Sequence, residues 1–206
     1  MRLGKDAMEA LKTEVGGLLK PGDELVVAGA VALKGTSLIA ENKYDLLREV
    51  FSGSFLGDAM ALRRNYGVGE IPKESVPWRM AGEAGANVRF AMGEGGFLSA
   101  LWKVAEASQT GLRADLRKVP VRQETIEICE VLDINPYYLL SEGSVLIGIP
   151  SGEALVEEFL RMGIPAAVIG HANEENDRLL YSRENVRYLD RPAEDEIKGV
   201  MELWQD

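Results

Sequence analysis

The sequence contains one cysteine and one histidine in 206 residues. Cys129 has no second cysteine with which to form an internal disulfide, and a lone thiol favours a reducing compartment. His171 has no nearby cysteine or second histidine, which excludes the usual zinc-ligand spacing. No apolar run approaches the roughly 20 residues that span a bilayer, and the first residues lack the apolar core of a signal peptide. We expect a cytoplasmic protein.

Basic side chains are also scarce, with 23 Lys and Arg against 33 Asp and Glu and a formal net charge of −10. Such a surface repels phosphate backbones, so nucleic acid is not an expected partner. The last 36 residues carry ten acidic and five basic side chains, which we interpret as a solvated acidic flank. The hydrophobic content of 46% is sufficient for a folded core and excludes a disordered chain.

Apolar periodicity predicts alternating helices and strands along the whole chain. This alternation is typical of an α/β or α+β layered domain in which helices cover a central sheet. We expect residues 1–20 to form an N-terminal helix and residues 21–206 to form one domain. The predicted strands are 24–32, 87–92, 112–116, 144–149 and 166–171, followed by a hairpin of 179–182 with 186–189. The predicted helices are 6–19, 56–64, 75–84, 97–108, 122–132, 152–162 and 193–204. A further helix is predicted after the first strand, with Thr36 or Ser37 as its cap and Val50 as its end.

The stretch Gly93-Glu94-Gly95-Gly96 precedes an apolar helix and is the most suggestive candidate site. Glycines let backbone N–H groups approach an anion, and the positive end of the helix dipole favours one there. The alternative is that these glycines only permit a tight turn between strand and helix, and Glu94 opposes an anion unless it faces away or meets a metal. Residues 29–35 match neither a dinucleotide-binding glycine motif nor a P-loop.

Three further candidates have ordinary structural explanations. Ser141-Glu142-Gly143-Ser144 places hydroxyls and a carboxylate before a strand, although serine and glycine are common in any turn. His171 lies at the end of a predicted strand, where a neutral imidazole can serve as an acid or a base but is more often structural. Cys129 lies among apolar residues on a predicted helix and is expected to be a small buried hydrophobe.

Several segments together resemble one known family. They are ELVVAGAVALKGTSLIA after Lys20-Pro21-Gly22-Asp23, ESVPWRMAGEAGA, EGGFLSALWKVAEASQTGL after Ala91-Met92, KVPVRQETIEICEVLDINPYYLLSEGSVLIGIP and AAVIGHA. In this order and spacing they resemble the C-terminal domain of the aminoimidazole ribonucleotide (AIR) synthase superfamily. The subgroup that they resemble most is that of AIR synthase-related, hydrogenase-maturation-factor-like proteins.

The resemblance implies an α/β/α sandwich with a mixed, partly ferredoxin-like sheet. It also implies a domain that joins an N-terminal domain to bind ATP, as in AIR synthase, selenophosphate synthetase, thiamine monophosphate kinase and the hydrogenase-maturation carbamoyl dehydratase. We expect the ATP-binding N-terminal domain to be missing from this chain. Members of the family carry Asp-x-Thr before the glycines, where this sequence has Ala91 and Gly93, although Glu94, Gly95 and Gly96 match the subgroup. No metal site is therefore expected. The dehydratase also ends in a reactive cysteine, which Leu203 to Asp206 do not contain.

Our first functional hypothesis is a stand-alone AIR synthase-related domain that binds a small anionic, phosphorylated ligand or a partner protein without autonomous ATP turnover. One alternative is an ATP-dependent enzyme of acyl or phosphoryl chemistry, with ATP and Mg²⁺ bound only when a separate N-terminal-domain protein or a homodimer completes the site. Another is a structural oligomerisation module. The expected ligand-binding residues are Gly93, Glu94, Gly95, Gly96, Gly35, Thr36, Ser141, Glu142, Gly143 and Ser144. No catalytic residue is assigned.

Overall fold

The structure, a computed structural model, describes residues 3–67 and 72–202. Its strands are β1 (Glu24–Ala28), β2 (Val88–Ala91), β3 (Gly111–Asp115), β4 (Val145–Ile149), β5 (Ala166–Asn173), β6 (Arg178–Ser182) and β7 (Asn185–Tyr188). Its α-helices are α1 (Lys5–Val15), α2 (Leu33–Asn42), α3 (Tyr44–Leu47), α4 (Gly53–Tyr66), α5 (Val76–Glu83), α6 (Gly96–Ser108), α7 (Gln123–Val131), α8 (Glu153–Arg161) and α9 (Glu196–Glu202). Short 3₁₀ turns occupy Pro72–Glu74, Leu116–Lys118 and Pro136–Tyr138.

The strands form one mixed sheet in the order β2-β4-β1-β5-β3-β6-β7. All neighbours are antiparallel except β3 and β6, which run parallel. Strands β6 and β7 form the hairpin that the sequence predicted. Because β1 is antiparallel to both β4 and β5, and β2 is antiparallel to β4, the carboxyl ends of β1 and β2 lie at the same edge of the sheet.

Helices cover both faces of the sheet, which confirms the predicted layered α/β class. Alternate residues of β1 face opposite sides, as a pleated strand requires. Leu25 and Val27 join a cluster with α1 and α6, whereas Val26 and Ala28 join a cluster with α5 and α8. Helix α1 is held in the first cluster by Leu11 and Val15. The proposed division at residue 20 stays a prediction.

A third apolar cluster joins α2, α3, α4, α7 and α9 away from the two sheet faces. Its buried members include Ile39, Leu47, Leu56, Ile128 and Val200. The sequence predicted helices in each of these segments but not that they would pack on one another. None of the helices within 3–67 and 72–202 is both long and apolar enough to cross a bilayer.

Cys129 belongs to this third cluster and is 1% exposed. Burial raises the pKa of its thiol to about 12, because a low-dielectric environment disfavours the thiolate. The reactive form of a cysteine is the thiolate. Cys129 is therefore a packing residue, as its apolar neighbours in the sequence indicated.

Candidate functional site

The glycine loop, the start of α2 and residues 141–144 meet at one edge of the sheet. Ala28 at the end of β1 and Ala91 at the end of β2 both pair with Val145, the first residue of β4. The polypeptide leaving β1 and β2 and the polypeptide entering β4 are therefore neighbours. The structure brings together the segments that the sequence singled out, and we call this region the site edge.

Residues 139–144 lie between the glycine loop and α2 and bond to both. On one side, Ser141 N donates to Gly93 O at 3.1 Å. On the other side, Gly35 N donates to Leu140 O at 3.0 Å. Within the segment, Ser144 N donates to Ser141 O at 3.3 Å, and Gly143 at the turn has a φ of 97°. This turn fixes the distance between the two flanking segments.

Glycine is required at two positions of the site edge by backbone conformation and close packing. Gly96 has a φ of 66°, and a Cβ placed there would lie 2.6 Å from Tyr137 O and 2.7 Å from Leu139 O. Gly35 lies in α2, where a Cβ would be 2.5 Å from Leu139 Cγ. Both glycines are buried. They allow α6 and α2 to pack closely against the same segment. This close packing accounts for both glycines whether or not a ligand binds.

Both serines of the turn are fully buried and hydrogen-bonded to the protein. Ser141 Oγ accepts from Ala32 N at 2.9 Å and donates to Leu139 O at 2.8 Å. Ser144 Oγ donates to Ala30 O at 2.7 Å. The two hydroxyls therefore attach the residues after β1 to the start of β4.

The prediction that Thr36 or Ser37 caps the helix after β1 is wrong. Helix α2 begins three residues earlier, at Leu33, and its N-terminal cap is Ala32, which has a φ of 63°. Thr36 is fully buried inside the helix, where its hydroxyl donates to Ala32 O at 2.9 Å and lies 2.9 Å from Thr125 Oγ1. Thr36 thus holds α2 against α7.

Two ion pairs form the exposed rim of the site edge. Lys34 of α2 pairs with Glu142, whose side chain is half exposed. Lys198 of α9 pairs with Glu94 of the glycine loop at 2.6 Å. The hydrogen bond from Lys198, together with its positive charge, lowers the pKa of Glu94, and the same bond raises the pKa of Lys198. Glu94 therefore faces a cation rather than the backbone of its own loop.

Sequence reasoning missed Asp195, a buried carboxylate at the site edge. It is 2% exposed, in contrast to the solvated acidic flank that we expected for this segment. Its Oδ2 accepts from Gly95 N at 2.7 Å, and its Oδ1 accepts from Leu140 N at 3.2 Å and Ile197 N at 3.0 Å. An anion thus already lies against the N-terminus of α6, where backbone N–H groups and the helix dipole favour negative charge.

The residues at the site edge do not fit Mg²⁺, which binds carboxylate and water oxygens. The side chain of Ala91, at the end of β2, has no ligating atom. Glu94 and Glu142 are each paired with a lysine, and Asp195 is bonded to three backbone N–H groups. Within the described ranges, no group of three or more His, Cys, Asp and Glu side chains is arranged to hold a metal ion.

His171 lies far along the sheet from the site edge. It pairs in register with Glu24, the first residue of β1, and its side chain is exposed. The site edge is at the other end of β1, so His171 is not part of this constellation. The C-terminal residues that we compared with the dehydratase cysteine, 203–206, lie outside the described residues.

Residues 91–181 match the family described as AIR synthase related protein, C-terminal domain. This protein carries an AIR synthase-related C-terminal domain. The matched segment begins at the end of β2 and ends in β6, so it includes the glycine loop, residues 139–144 and α6. The resemblance that the sequence motifs indicated is confirmed.

Relatives of this AIR synthase-related domain include proteins named for hydrogenase maturation. A carbamoyl dehydratase HypE of Rhodobacter capsulatus is 27% identical over 164 residues, which cover 78% of this chain and 44% of the relative. A putative hydrogenase expression/formation protein of Methanocaldococcus jannaschii is 31% identical over 111 residues, 52% of this chain and 33% of the relative. The chain thus spans less than half the length of these relatives. The domain is HypE-like.

Solved structures show the same fold. Escherichia coli HypE matches with a TM-score of 0.63 and 20% identity over 88% of this chain and 53% of that one. Thiamine monophosphate kinase of Aquifex aeolicus matches with a TM-score of 0.54 and 18% identity over 80% of this chain and 51% of that one. These likenesses confirm the AIR synthase-like architecture that the sequence motifs implied.

Proposed function

We propose that this domain binds a small phosphorylated molecule at the site edge and acts in hydrogenase maturation without turning over ATP by itself. The observation that carries the proposal is the hydrogen bond of 2.7 Å between Gly95 N and the Asp195 carboxylate. It demonstrates that the glycine loop directs a backbone N–H group toward a negative charge. A phosphate oxygen has the same requirement for N–H donors at a helix N-terminus.

Lys34, at the rim of the site edge, is the cation that we propose supports such a ligand. It lies in the first turn of α2, beside residues 139–144, and it pairs with Glu142. Its side chain is 24% exposed, so Lys34 is partly accessible to solvent. A phosphate entering the site edge would compete with the Glu142 carboxylate for this cation, because both are anionic acceptors.

The role in hydrogenase maturation is supported by the names of the relatives, two of which are carbamoyl dehydratases. A solved HypE structure of the same fold is a complex with HypF. We propose that this domain likewise works with another polypeptide, either a protein that supplies the nucleotide-binding half or a second copy of this chain. The misfit of the site edge to Mg²⁺ supports a need for that complement before ATP reacts.

Ligand binding is tested by isothermal titration calorimetry of the purified chain with ATP and, separately, with inorganic phosphate. We expect both to bind without Mg²⁺, and we expect Lys34→Ala to weaken binding about tenfold, since a charge-assisted contact contributes roughly 1.5 kcal/mol or more. The matched control is Lys20→Ala. Lys20 is an exposed lysine that precedes β1, at the end of the sheet opposite the site edge.

The calorimetric result would contradict the proposal if neither probe bound at millimolar concentration. Equal weakening by Lys34→Ala and Lys20→Ala would also contradict it, because the net charge changes equally in the two variants. In that case the attraction would be a general effect of charge and not a property of the site edge.

A further inference from the structure

Helix α9 and the residue before it contact the glycine loop through two charged side chains. Asp195, just before the helix, bonds to Gly95 N, and Lys198 within the helix pairs with Glu94. Asp195 and Lys198 are also linked to each other, because Lys198 N donates to Asp195 O at 3.0 Å. We call residues 193–202 the α9 latch. Both contacts are made to consecutive residues of the loop, so the latch covers the place where a ligand would meet Gly95.

The α9 latch is attached to the rest of the protein by few buried apolar side chains, together with the bonds from Gly95 N and Leu140 N to the Asp195 carboxylate. Residues 190–194, which lead into it, are exposed. The helix has seven residues, of which Val200 is buried and Ile197 and Met201 are partly buried against the third apolar cluster. Short helices with few buried side chains belong to the part of a protein that opens at low free-energy cost. We therefore expect the latch to open while the sheet and the other helices stay folded.

We propose that the Asp195 carboxylate occupies the position of the ligand's anionic group, so that the α9 latch must open before a phosphorylated molecule binds at the site edge. This inference rests on the proposed function. Gly95 has one N–H group, and it cannot donate a short bond to Asp195 and to a phosphate oxygen at once. Two anions at the same helix end would also repel each other. Ligand binding and latch closure therefore exclude each other.

The apparent affinity of such a site is its intrinsic affinity multiplied by the fraction of molecules in which the latch is open. Any change that weakens the Asp195 bond without altering the loop raises that fraction. Asp195→Asn keeps the size of the side chain and one oxygen acceptor but removes the charge. We expect this variant to bind ATP and inorganic phosphate about tenfold more tightly than the wild-type protein.

The matched control is Glu194→Gln. Glu194 carries the same charge one residue earlier, is mostly exposed, and contacts Lys198 at 3.5 Å, so it tests whether a loss of negative charge near the loop is sufficient. Calorimetry with both variants is combined with hydrogen exchange of the wild-type protein. When ATP is bound, we expect faster exchange at Ile197 N, whose acceptor is Asp195 Oδ1, and unchanged exchange in β1. This second measurement needs no variant and so does not depend on how Asp195→Asn folds.

Tighter binding by Asp195→Asn than by Glu194→Gln, or faster exchange in the latch on adding ATP, would support the proposal. Wild-type binding with equal affinities in both variants and no change of exchange in residues 193–202 would overturn the latch and leave ligand binding intact. No binding by any of the three proteins would overturn ligand binding and the latch together. The two failures are thus distinguishable.

Discussion

Gly96→Ala is expected to lower the free energy of unfolding by about 3 kcal/mol or more. Gly96 has a φ of 66°, a conformation that costs a non-glycine residue roughly 1–3 kcal/mol. The added Cβ would also lie 2.6–2.9 Å from the backbone atoms Tyr137 O, Leu139 O and Leu139 N. Backbone atoms cannot move aside as a flexible side chain can, so overpacking adds about 1–3 kcal/mol. Urea unfolding followed by circular dichroism measures the change.

Gly93→Ala is the control for this substitution in the same loop. A Cβ at Gly93 has no atom within 4 Å, and a substitution that creates no clash is expected to change stability by less than about 0.5 kcal/mol. If the two variants lost the same stability, the close approach of α6 to residues 137–139 would not be what requires glycine in this loop.

Ser141→Ala is expected to cost about 2 kcal/mol. The hydroxyl is fully buried and serves two backbone groups, accepting from Ala32 N and donating to Leu139 O. Its removal leaves a buried N–H and a buried carbonyl without this partner, and each such group costs roughly 1–3 kcal/mol. Equilibrium unfolding in urea again provides the measurement. Because Ala32 caps α2, we also expect faster hydrogen exchange in the first turn of that helix.

The comparison for Ser141 is Ser151→Ala. Ser151 is exposed, so the loss of its hydroxyl leaves groups that water can satisfy. A loss of stability in Ser151→Ala as large as that in Ser141→Ala would contradict the assignment of Ser141 as the buried link between β4 and α2.

The helices and strands could be predicted from the sequence because apolar periodicity and turn residues mark each element within a few neighbouring positions. The run from Glu24 to Ala28 is apolar and bounded by turn residues, and it forms a buried strand with both faces covered. Helix α6 follows the glycine turn, as its apolar sequence predicted. The start of α2 was misplaced for a tertiary reason. Ala32 adopts a left-handed conformation, and its N–H is satisfied by Ser141, which is 109 residues away in the sequence.

The candidate site was predicted in part. The glycine loop follows β2, and residues 141–144 precede β4. Their meeting at one edge of the sheet is therefore a consequence of the order of β1, β2 and β4. Asp195 could be recognised locally only as an acidic residue before a short helix, a common N-terminal capping position. Its contact with Gly95 spans 100 residues. Such a contact depends on how α9 packs on the third cluster, which the helical pattern alone does not specify.

The most direct test of the central claim is a phosphate-release assay on the homogeneous 206-residue chain with ATP and Mg²⁺. We propose that the site edge binds anions through backbone N–H groups and Lys34. Its carboxylates among the described residues already have protein partners, so we expect no release above the buffer rate and we expect ATP to bind. Release by the wild-type chain that disappears in Lys34→Ala and persists in Lys20→Ala would contradict the account, because turnover would then occur at the site edge without a complementary half.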